Sequence, residues 1–132
     1  MKIAVFCVAV LALLQALLGC VVSFFRRKYR SSAGCPDDPA HPLYRLRTAF
    51  SNCAEWHPTL IALMLLSGMY ASQKWSIWLY PAVVAGRCFH VLGLVAHPLH
   101  RPNATRVVGA TLTYLLTIGL SLLVINDVFL AV

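Results

Sequence analysis

The chain has 132 residues, of which 60% are hydrophobic and only 11% are charged. Soluble domains carry about 25% charged residues, so this chain has too few charged side chains to cover a surface that faces water. The apolar residues fall into runs of about 20, the length that crosses a hydrocarbon core of roughly 30 Å. The net charge of +7 arises beside these runs, as is typical of membrane helices at the cytoplasmic leaflet. The composition therefore predicts an integral membrane protein in contact with lipid and argues against nucleic-acid binding.

The first apolar run extends from about Ile3 to Phe25 and ends at a basic cluster, Arg26-Arg27-Lys28-Tyr29-Arg30. Its position at the N-terminus also fits a secretory signal peptide, and Leu17-Leu18-Gly19-Cys20 faintly resembles a lipoprotein cleavage site. Signal-peptide cores are usually only about 7–15 residues long, and this run is longer. We therefore interpret it as a first membrane helix over residues 3–25.

Three further spans are predicted, at about residues 48–70, 75–96 and 106–129. The segment 31–44 has the composition of a loop, because proline, glycine, serine and aspartate are dense in it. The connection Ala71-Ser72-Gln73-Lys74 is short, so we expect the second and third helices to form an antiparallel hairpin. The sequence thus predicts a single all-α domain over residues 1–132, an integral membrane four-helix bundle.

The five cysteines are scattered and include no Cys-x-x-Cys pair. That arrangement is neither a disulfide framework nor a zinc-binding pattern. We predict no metal site and interpret most of the cysteines as small buried residues.

The basic residues predict the orientation in the membrane. Eight lie in the first and third connections and two, Lys2 and Lys74, on the opposite side. The eight are Arg26, Arg27, Lys28, Arg30, Arg45, Arg47, Arg101 and Arg106. By the positive-inside rule these connections face the cytoplasm and both termini lie on the other side. The Asn103-Ala104-Thr105 sequon is then cytoplasmic and should carry no glycan.

Polar residues inside the spans are the candidate site, because polar groups in a membrane are costly and are usually functional. Asn52 and Glu55 are three residues apart on the second span and share one helical face, which Arg45 extends toward the cytoplasm. Arg87 and His90 repeat this spacing on the third span. Both sets lie in the cytoplasmic halves of their helices, so we expect them at a similar depth.

A glutamate at that depth needs a partner, and we expect Glu55 to pair with Arg87, with Arg45 or Arg47 as further candidates. One interpretation is an ion pair that only fixes helix packing. The other follows from the surplus of arginines, which includes Arg101 in the next loop: guanidinium groups bind carboxylates in bidentate fashion, so the region suits a small anionic ligand.

Three segments resemble the MAPEG family, the membrane-associated proteins of eicosanoid and glutathione metabolism. Residues 45–58, Arg-Leu-Arg-Thr-Ala-Phe-Ser-Asn-Cys-Ala-Glu-Trp-His-Pro, are similar to the family's second-helix signature. Residues 86–94, Gly-Arg-Cys-Phe-His-Val-Leu-Gly-Leu, resemble the third-helix motif of bacterial members, and residues 106–114 resemble the start of the fourth helix. The likeness covers nearly the whole chain, with its motifs in the family order.

The resemblance implies a homotrimer that binds glutathione as co-substrate between neighbouring subunits, near the cytoplasmic face. It assigns glutathione contacts to Asn52 and Glu55, a basic contact to Arg45, and to His90 a position where several members have tyrosine. Arg101 falls near the arginine that activates the thiol in some members.

The chain also departs from the family pattern. The signature arginine four residues before Asn52 is Thr48 here, flanked by Arg47, and a second tyrosine of the glutathione site corresponds to Leu94.

The resemblance implies a membrane-bound, glutathione transferase-like protein that attacks lipophilic electrophiles dissolved in the bilayer. Arg101 would stabilise the thiolate while Arg45, Arg47, Asn52, Glu55, Arg87 and His90 hold the glutathione peptide. A non-catalytic lipid-binding or scaffold protein of the same fold is the alternative. A proton-coupled antiporter for cationic drugs fits less well, because arginines surround the single intramembrane glutamate of the second span.

Overall fold

The structure is a computed structural model that describes residues 1–32, 34–70 and 74–130. Within these residues the chain forms four α-helices and one short 3-10 helix, Lys74–Trp78, and no strand. The α-helices are α1 (Lys2–Lys28), α2 (Pro42–Tyr70), α3 (Leu79–Ala96) and α4 (Ala104–Leu130). The predicted all-α four-helix bundle is therefore confirmed.

The start of α2 differs from the sequence-based expectation, which placed its first turn in the loop. The helix begins at Pro42, because proline suits the first helical position, where no intrahelical N–H bond is lost. His41 supports this start by accepting a hydrogen bond at Nδ1 from the main-chain N–H of Leu43, at 3.2 Å. The short connection expected at 71–74 lies, apart from Lys74, outside the described residues.

The hydrophobic core joins all four helices of the described chain. One buried cluster contains Leu11 of α1, Leu60 and Met64 of α2, Val83 of α3 and Leu120 of α4. A second cluster, further toward the C-terminal end of α1, joins that helix to α2 and α3 through Leu18, Ala49, Cys53, Val91 and Leu94. Cys53 of this cluster follows Asn52 in α2, and Val91 lies one turn after Arg87 in α3. The cluster therefore holds together the two helices that carry the candidate site.

Three helical segments are long and apolar enough to cross a membrane: Lys2–Lys28, Trp75–Ala96 and Ala104–Phe129. In the most apolar window of the first and the last of these, only 22% of residues are buried inside the subunit. Large side chains such as Phe6, Phe24 and Ile118 are exposed, which in a membrane means contact with lipid or with another chain. The protein is therefore a multi-pass membrane protein. Helix α2 is not among the three segments, and it carries polar and charged residues such as Arg45, Asn52 and Glu55.

Helices α3 and α4 approach each other closely through glycine. A Cβ atom at Gly93 would lie 2.5 Å from the main-chain nitrogen of Arg106, and one at Gly109 would collide with the backbone of His90. No larger residue fits at either position without moving a helix. The glycines thus bring His90 of α3 and Arg106 of α4 side by side.

Asn103 fixes the start of α4 and ties it to the end of α3. Its Oδ1 accepts hydrogen bonds from the main-chain N–H of Arg106 at 2.9 Å and from Oγ1 of Thr105 at 2.7 Å. Its Nδ2 donates to the carbonyl oxygen of Gly93 at 2.9 Å. The asparagine of the sequon is therefore an N-cap residue with a structural role.

Candidate functional site

The candidate site is built around a hydrogen bond between α2 and α3. Arg87, which is only 1% exposed, donates from Nη2 to Oδ1 of Asn52 at 2.8 Å and to its main-chain oxygen at 3.4 Å. The same nitrogen lies 3.4 Å from Sγ of Cys53. An amide oxygen that accepts from a guanidinium leaves the amide Nδ2 as the group Asn52 can offer to a ligand. The buried charge of Arg87 thus fixes which way the Asn52 amide faces.

The prediction of an ion pair between Glu55 and Arg87 is wrong. Glu55 is exposed, and within the described residues its Oε1 accepts a hydrogen bond from Oγ of Ser51 at 3.3 Å. Arg87 is instead satisfied by Asn52, one turn earlier on α2. Three-residue spacing places Asn52 and Glu55 on one side of the helix, but it does not determine which of the two points toward α3.

Two cavities meet at this point of α2. The first cavity, of about 290 Å³, is lined by Cys35, Tyr44, Arg47, Thr48, Ser51, Asn52 and Glu55. The second cavity, of about 510 Å³, is lined by Thr48, Asn52, His90, Leu94, Leu99, His100, Pro102, Arg106, Val107, Ala110, Thr111 and Tyr114. Thr48 and Asn52 line both. The first cavity is mainly polar, whereas the second is bordered by apolar residues of α3 and α4.

His90 and Arg106 form one side of the second cavity. The ring nitrogen Nδ1 of His90 lies 3.0 Å from the carbonyl oxygen of Arg106. A carbonyl oxygen only accepts, so Nδ1 carries the hydrogen in this contact. The Arg106 guanidinium donates from Nη1 to the carbonyl oxygen of Leu99 at 3.4 Å. Both side chains are therefore held in place beside Asn52.

The other arginines singled out from the sequence lie in three different surroundings. Arg47 lines the first cavity and donates from Nη1 to Sγ of Cys35 at 3.2 Å. Arg45 is half-buried, and its Nε lacks a hydrogen-bond partner within the described chain. Arg101 is exposed and lines a neighbouring cavity of about 310 Å³, which shares His100 and Pro102 with the second cavity. Of the three, only Arg47 lines a cavity together with Asn52.

The structure shows what the two residues that depart from the family pattern contact. Thr48 turns its hydroxyl back to the carbonyl oxygen of Tyr44 at 2.9 Å, a bond common for threonine inside a helix. Leu94 is 3% exposed, borders the second cavity and packs with Ala49 and Cys53. At these two positions the chain therefore has a hydroxyl that donates to its own backbone and an aliphatic side chain.

Several residues of the site were not identified from sequence. Cys35 and Tyr44 lie in a predicted loop, and Ser51 lies inside the second-helix motif without having been singled out. Tyr114 of α4 lines the second cavity and pairs with the Trp56 ring at a centroid distance of 5.2 Å. Ser51 and Tyr114 carried a signal, as parts of the second-helix and fourth-helix motifs. The rest depend on where the loop and α4 pack, which spacing along one helix does not reveal.

Among the described residues that line the two cavities there are two arginines, Arg47 and Arg106, and one carboxylate, Glu55. The helices and cavities define a multi-pass membrane protein with a polar, cationic site on α2, α3 and α4. The MAPEG family model matches residues 4–126, and the chain belongs to the MAPEG family. It is thus a glutathione transferase-like or related membrane protein. No curated protein matches the chain.

Proposed function

We propose that this protein is a membrane-bound glutathione transferase that activates the glutathione thiol for attack on lipophilic electrophiles. The observation that carries the proposal is the Arg87–Asn52 hydrogen bond of 2.8 Å. It leaves the Asn52 amide nitrogen as a donor at the junction of two cavities. Glutathione has two carboxylates and two amide carbonyls, all of them acceptors, and membership of the MAPEG family makes glutathione the first ligand to test.

The lining of the first cavity suits the peptide part of glutathione. Arg47 offers a guanidinium for a carboxylate, and Asn52 and Ser51 offer neutral polar groups. Glu55, exposed at the same cavity, can accept from an ammonium group such as the α-amino group of the γ-glutamyl residue. Arg45 and His90 remain proposed contacts, His90 through the second cavity.

Arg87 acts in this proposal as a positioning residue. Since it is 1% exposed and lines neither cavity, it reaches the ligand through Asn52. Its charge also polarises the amide, which strengthens the donor on the far side. The sequence-based role of Arg87 as a glutathione contact is therefore replaced by an indirect one.

Thiolate formation requires a cation near the sulfur. A cysteine-like thiol has a pKa of about 8.5, so only a few per cent is ionised at neutral pH, and a nearby guanidinium favours the anion. Arg101 is the proposed group by resemblance. Arg106 is a second candidate, because it lines the same cavity as Asn52 whereas Arg101 borders the neighbouring one. The apolar residues of the second cavity suit an electrophile that arrives from the bilayer.

The test combines binding and turnover. Purified protein is titrated with glutathione while the thiolate absorbance difference is followed, and turnover is measured with a chlorodinitrobenzene-type electrophile. We expect saturable binding at millimolar concentrations or below. Replacement of the thiolate-stabilising arginine should lower turnover by about 10²–10³-fold, the effect typical of one electrostatic group, with glutathione affinity nearly unchanged. Comparison of Arg101→Ala with Arg106→Ala identifies that arginine.

Lys28→Gln is the matched control, because it removes one exposed positive charge that lines neither cavity. Absence of glutathione binding at millimolar concentration contradicts the proposal. Binding without turnover in the unaltered protein supports the alternative, a non-catalytic lipid-binding or scaffold protein of this family.

A further inference from the structure

Polar residues interrupt the hydrophobic core near the middle of the bundle. On each of three helices, one polar residue lies between a member of the first buried cluster and a member of the second. They are Gln15 of α1, between Leu11 and Leu18, His57 of α2, between Cys53 and Leu60, and Arg87 of α3, between Val83 and Val91. We call Gln15, His57 and Arg87 the polar layer. Because three helices contribute to it at one level, it belongs to the interior of a single subunit.

Buried polar atoms of the layer lack hydrogen-bond partners. Within the described chain, both ring nitrogens of His57, Nε of Arg87 and Oε1 of Gln15 are buried without one. His57 is only 3% exposed, so bulk water does not replace the missing partners. A buried polar group without a partner is destabilising, and native proteins contain few of them. Several at one level of the core therefore indicate a bound species among them.

Arg87 and His57 are neighbours where α2 packs against α3. Nη2 of Arg87 lies 3.4 Å from Sγ of Cys53, and His57 follows Cys53 by one helical turn on the same face of α2. The positive charge of Arg87 also acts electrostatically on the His57 ring. The Nη2 atom of Arg87 is occupied by Asn52, which leaves Nε as the donor that Arg87 can offer inside the layer.

The layer carries a positive charge that the chain does not neutralise. The sequence contains only four acidic residues, namely Asp37 and Asp38 in the loop before α2, Glu55, which is exposed, and Asp127 near the C-terminal end of α4. Asp127 is too distant, because α3 meets α4 at Gly86 and Leu112, roughly 20 Å before it along the helix axis. Arg87 is covered almost completely by its own subunit, so a carboxylate of a neighbouring subunit cannot reach it. A buried charge without a counter-charge is costly inside a membrane.

We propose that the polar layer binds one small inorganic anion of the halide class, held between Nε of Arg87 and a ring nitrogen of His57. The neutral imidazole has one N–H to donate, and the guanidinium has only donors. A halide accepts from both and neutralises the guanidinium, whereas a water molecule would satisfy the hydrogen bonds and leave the charge. Turning over the Gln15 amide exchanges its buried oxygen for a nitrogen, which adds a third donor to the layer.

The anion would also stabilise the guanidinium whose Nη2 orients Asn52. It would therefore support the candidate site from inside the subunit without contacting a ligand in either cavity. The proposal requires no glutathione and no turnover, so its tests are independent of the proposed transferase activity.

The first test follows thermal unfolding of the purified full-length protein in neutral detergent while chloride replaces gluconate at constant ionic strength. Gluconate is too large for a site between two packed side chains. For a Kd of about 10 mM, we expect Tm to rise by about 4 °C between about 1 and about 100 mM chloride. Bromide should act like chloride. Equal Tm values in gluconate and chloride would show that water alone satisfies the layer, and the proposal would fail.

Substitutions of His57 then test the assigned ligands. His57→Phe keeps an aromatic ring and removes both nitrogens, so it should abolish the rise in Tm with chloride. His57→Gln keeps an N–H donor and should retain part of it. His97→Phe is the matched control, because it makes the same replacement at an exposed position after α3, and its chloride response should equal that of the unaltered protein. An undiminished response in both His57 variants would contradict the assignment.

Bromide locates the ion directly, whether or not the substitutions alter folding. Anomalous diffraction from crystals grown in bromide should show one peak in each subunit between Arg87 and His57. Bromide peaks only at the surface would indicate adventitious binding and would overturn the proposal.

Discussion

At the scale of single residues, the site depends on one buried cation and the amide that satisfies it. Arg87 is almost fully buried, and its main partner is the neutral side chain of Asn52. Glu55, the carboxylate expected to compensate it, is exposed to the first cavity. A buried arginine without a carboxylate keeps its positive charge available to the surroundings, which favours anionic ligands nearby.

A double-mutant cycle between Arg87 and Asn52 tests this arrangement. We expect the two alanine substitutions to be strongly non-additive, with a coupling free energy of about 1.5–3 kcal/mol, because the hydrogen bond involves a charged group. The measurement is the free energy of unfolding in mixed micelles. The exposed pair Ser51 and Glu55, four residues apart on α2, is the control, for which about 0.2–0.5 kcal/mol is expected. Additive effects at Arg87 and Asn52 would contradict the proposed positioning role.

At the scale of helices, the contact between α3 and α4 depends on glycine. Gly109→Ala would force a methyl group into the backbone of His90, so we expect a loss of about 1–3 kcal/mol or more in the free energy of unfolding. Gly119→Ala on the same helix is the control, because a methyl group added there would meet no neighbouring residue within 4 Å. There the higher helix propensity of alanine should leave stability unchanged or raise it by up to about 1 kcal/mol. Similar effects at both glycines would rule out the close contact.

The cap of α4 gives a second prediction at this scale. Asn103→Ala removes both the N-cap oxygen and the bond to Gly93, and should lower the free energy of unfolding by about 1 kcal/mol for the cap alone. Asn103→Asp keeps the oxygen acceptor and loses only the donor to Gly93, so it should be less destabilising. If the aspartate variant were the less stable of the two, the cap would not be what stabilises this helix start.

At the scale of the whole molecule, the orientation in the membrane remains a prediction from the distribution of basic residues. Expressed in glycosylation-competent microsomes, the chain should leave Asn103 unmodified. A sequon attached to the C-terminus through a long spacer should be modified, because both termini are expected on the non-cytoplasmic side. A glycan at Asn103 would reverse the predicted orientation.

The homotrimer that the family resemblance implies also belongs to this scale. Both cavities at Asn52 open on the surface of the single chain, and a neighbouring subunit would close them. The oligomer mass in detergent, from sedimentation or native mass spectrometry, should correspond to three chains, and a monomer with full glutathione affinity would contradict a shared site.

The sequence by itself determined the class of protein and the number and order of its helices, although α2 begins at Pro42, earlier than the expected residue 48. Long apolar runs leave a chain few structures other than membrane helices, because unpaired backbone groups are too costly in lipid. The signature around Asn52 and Glu55 likewise identified the family. Tertiary structure decided the partners: whether Arg87 meets Glu55 or Asn52 depends on the rotation of α2 against α3. Likewise, Arg106 comes to line the Asn52 cavity because Gly93 and Gly109 bring α3 and α4 together. Such contacts arise from the packing of two helices, and the residue spacing within one helix does not contain that information.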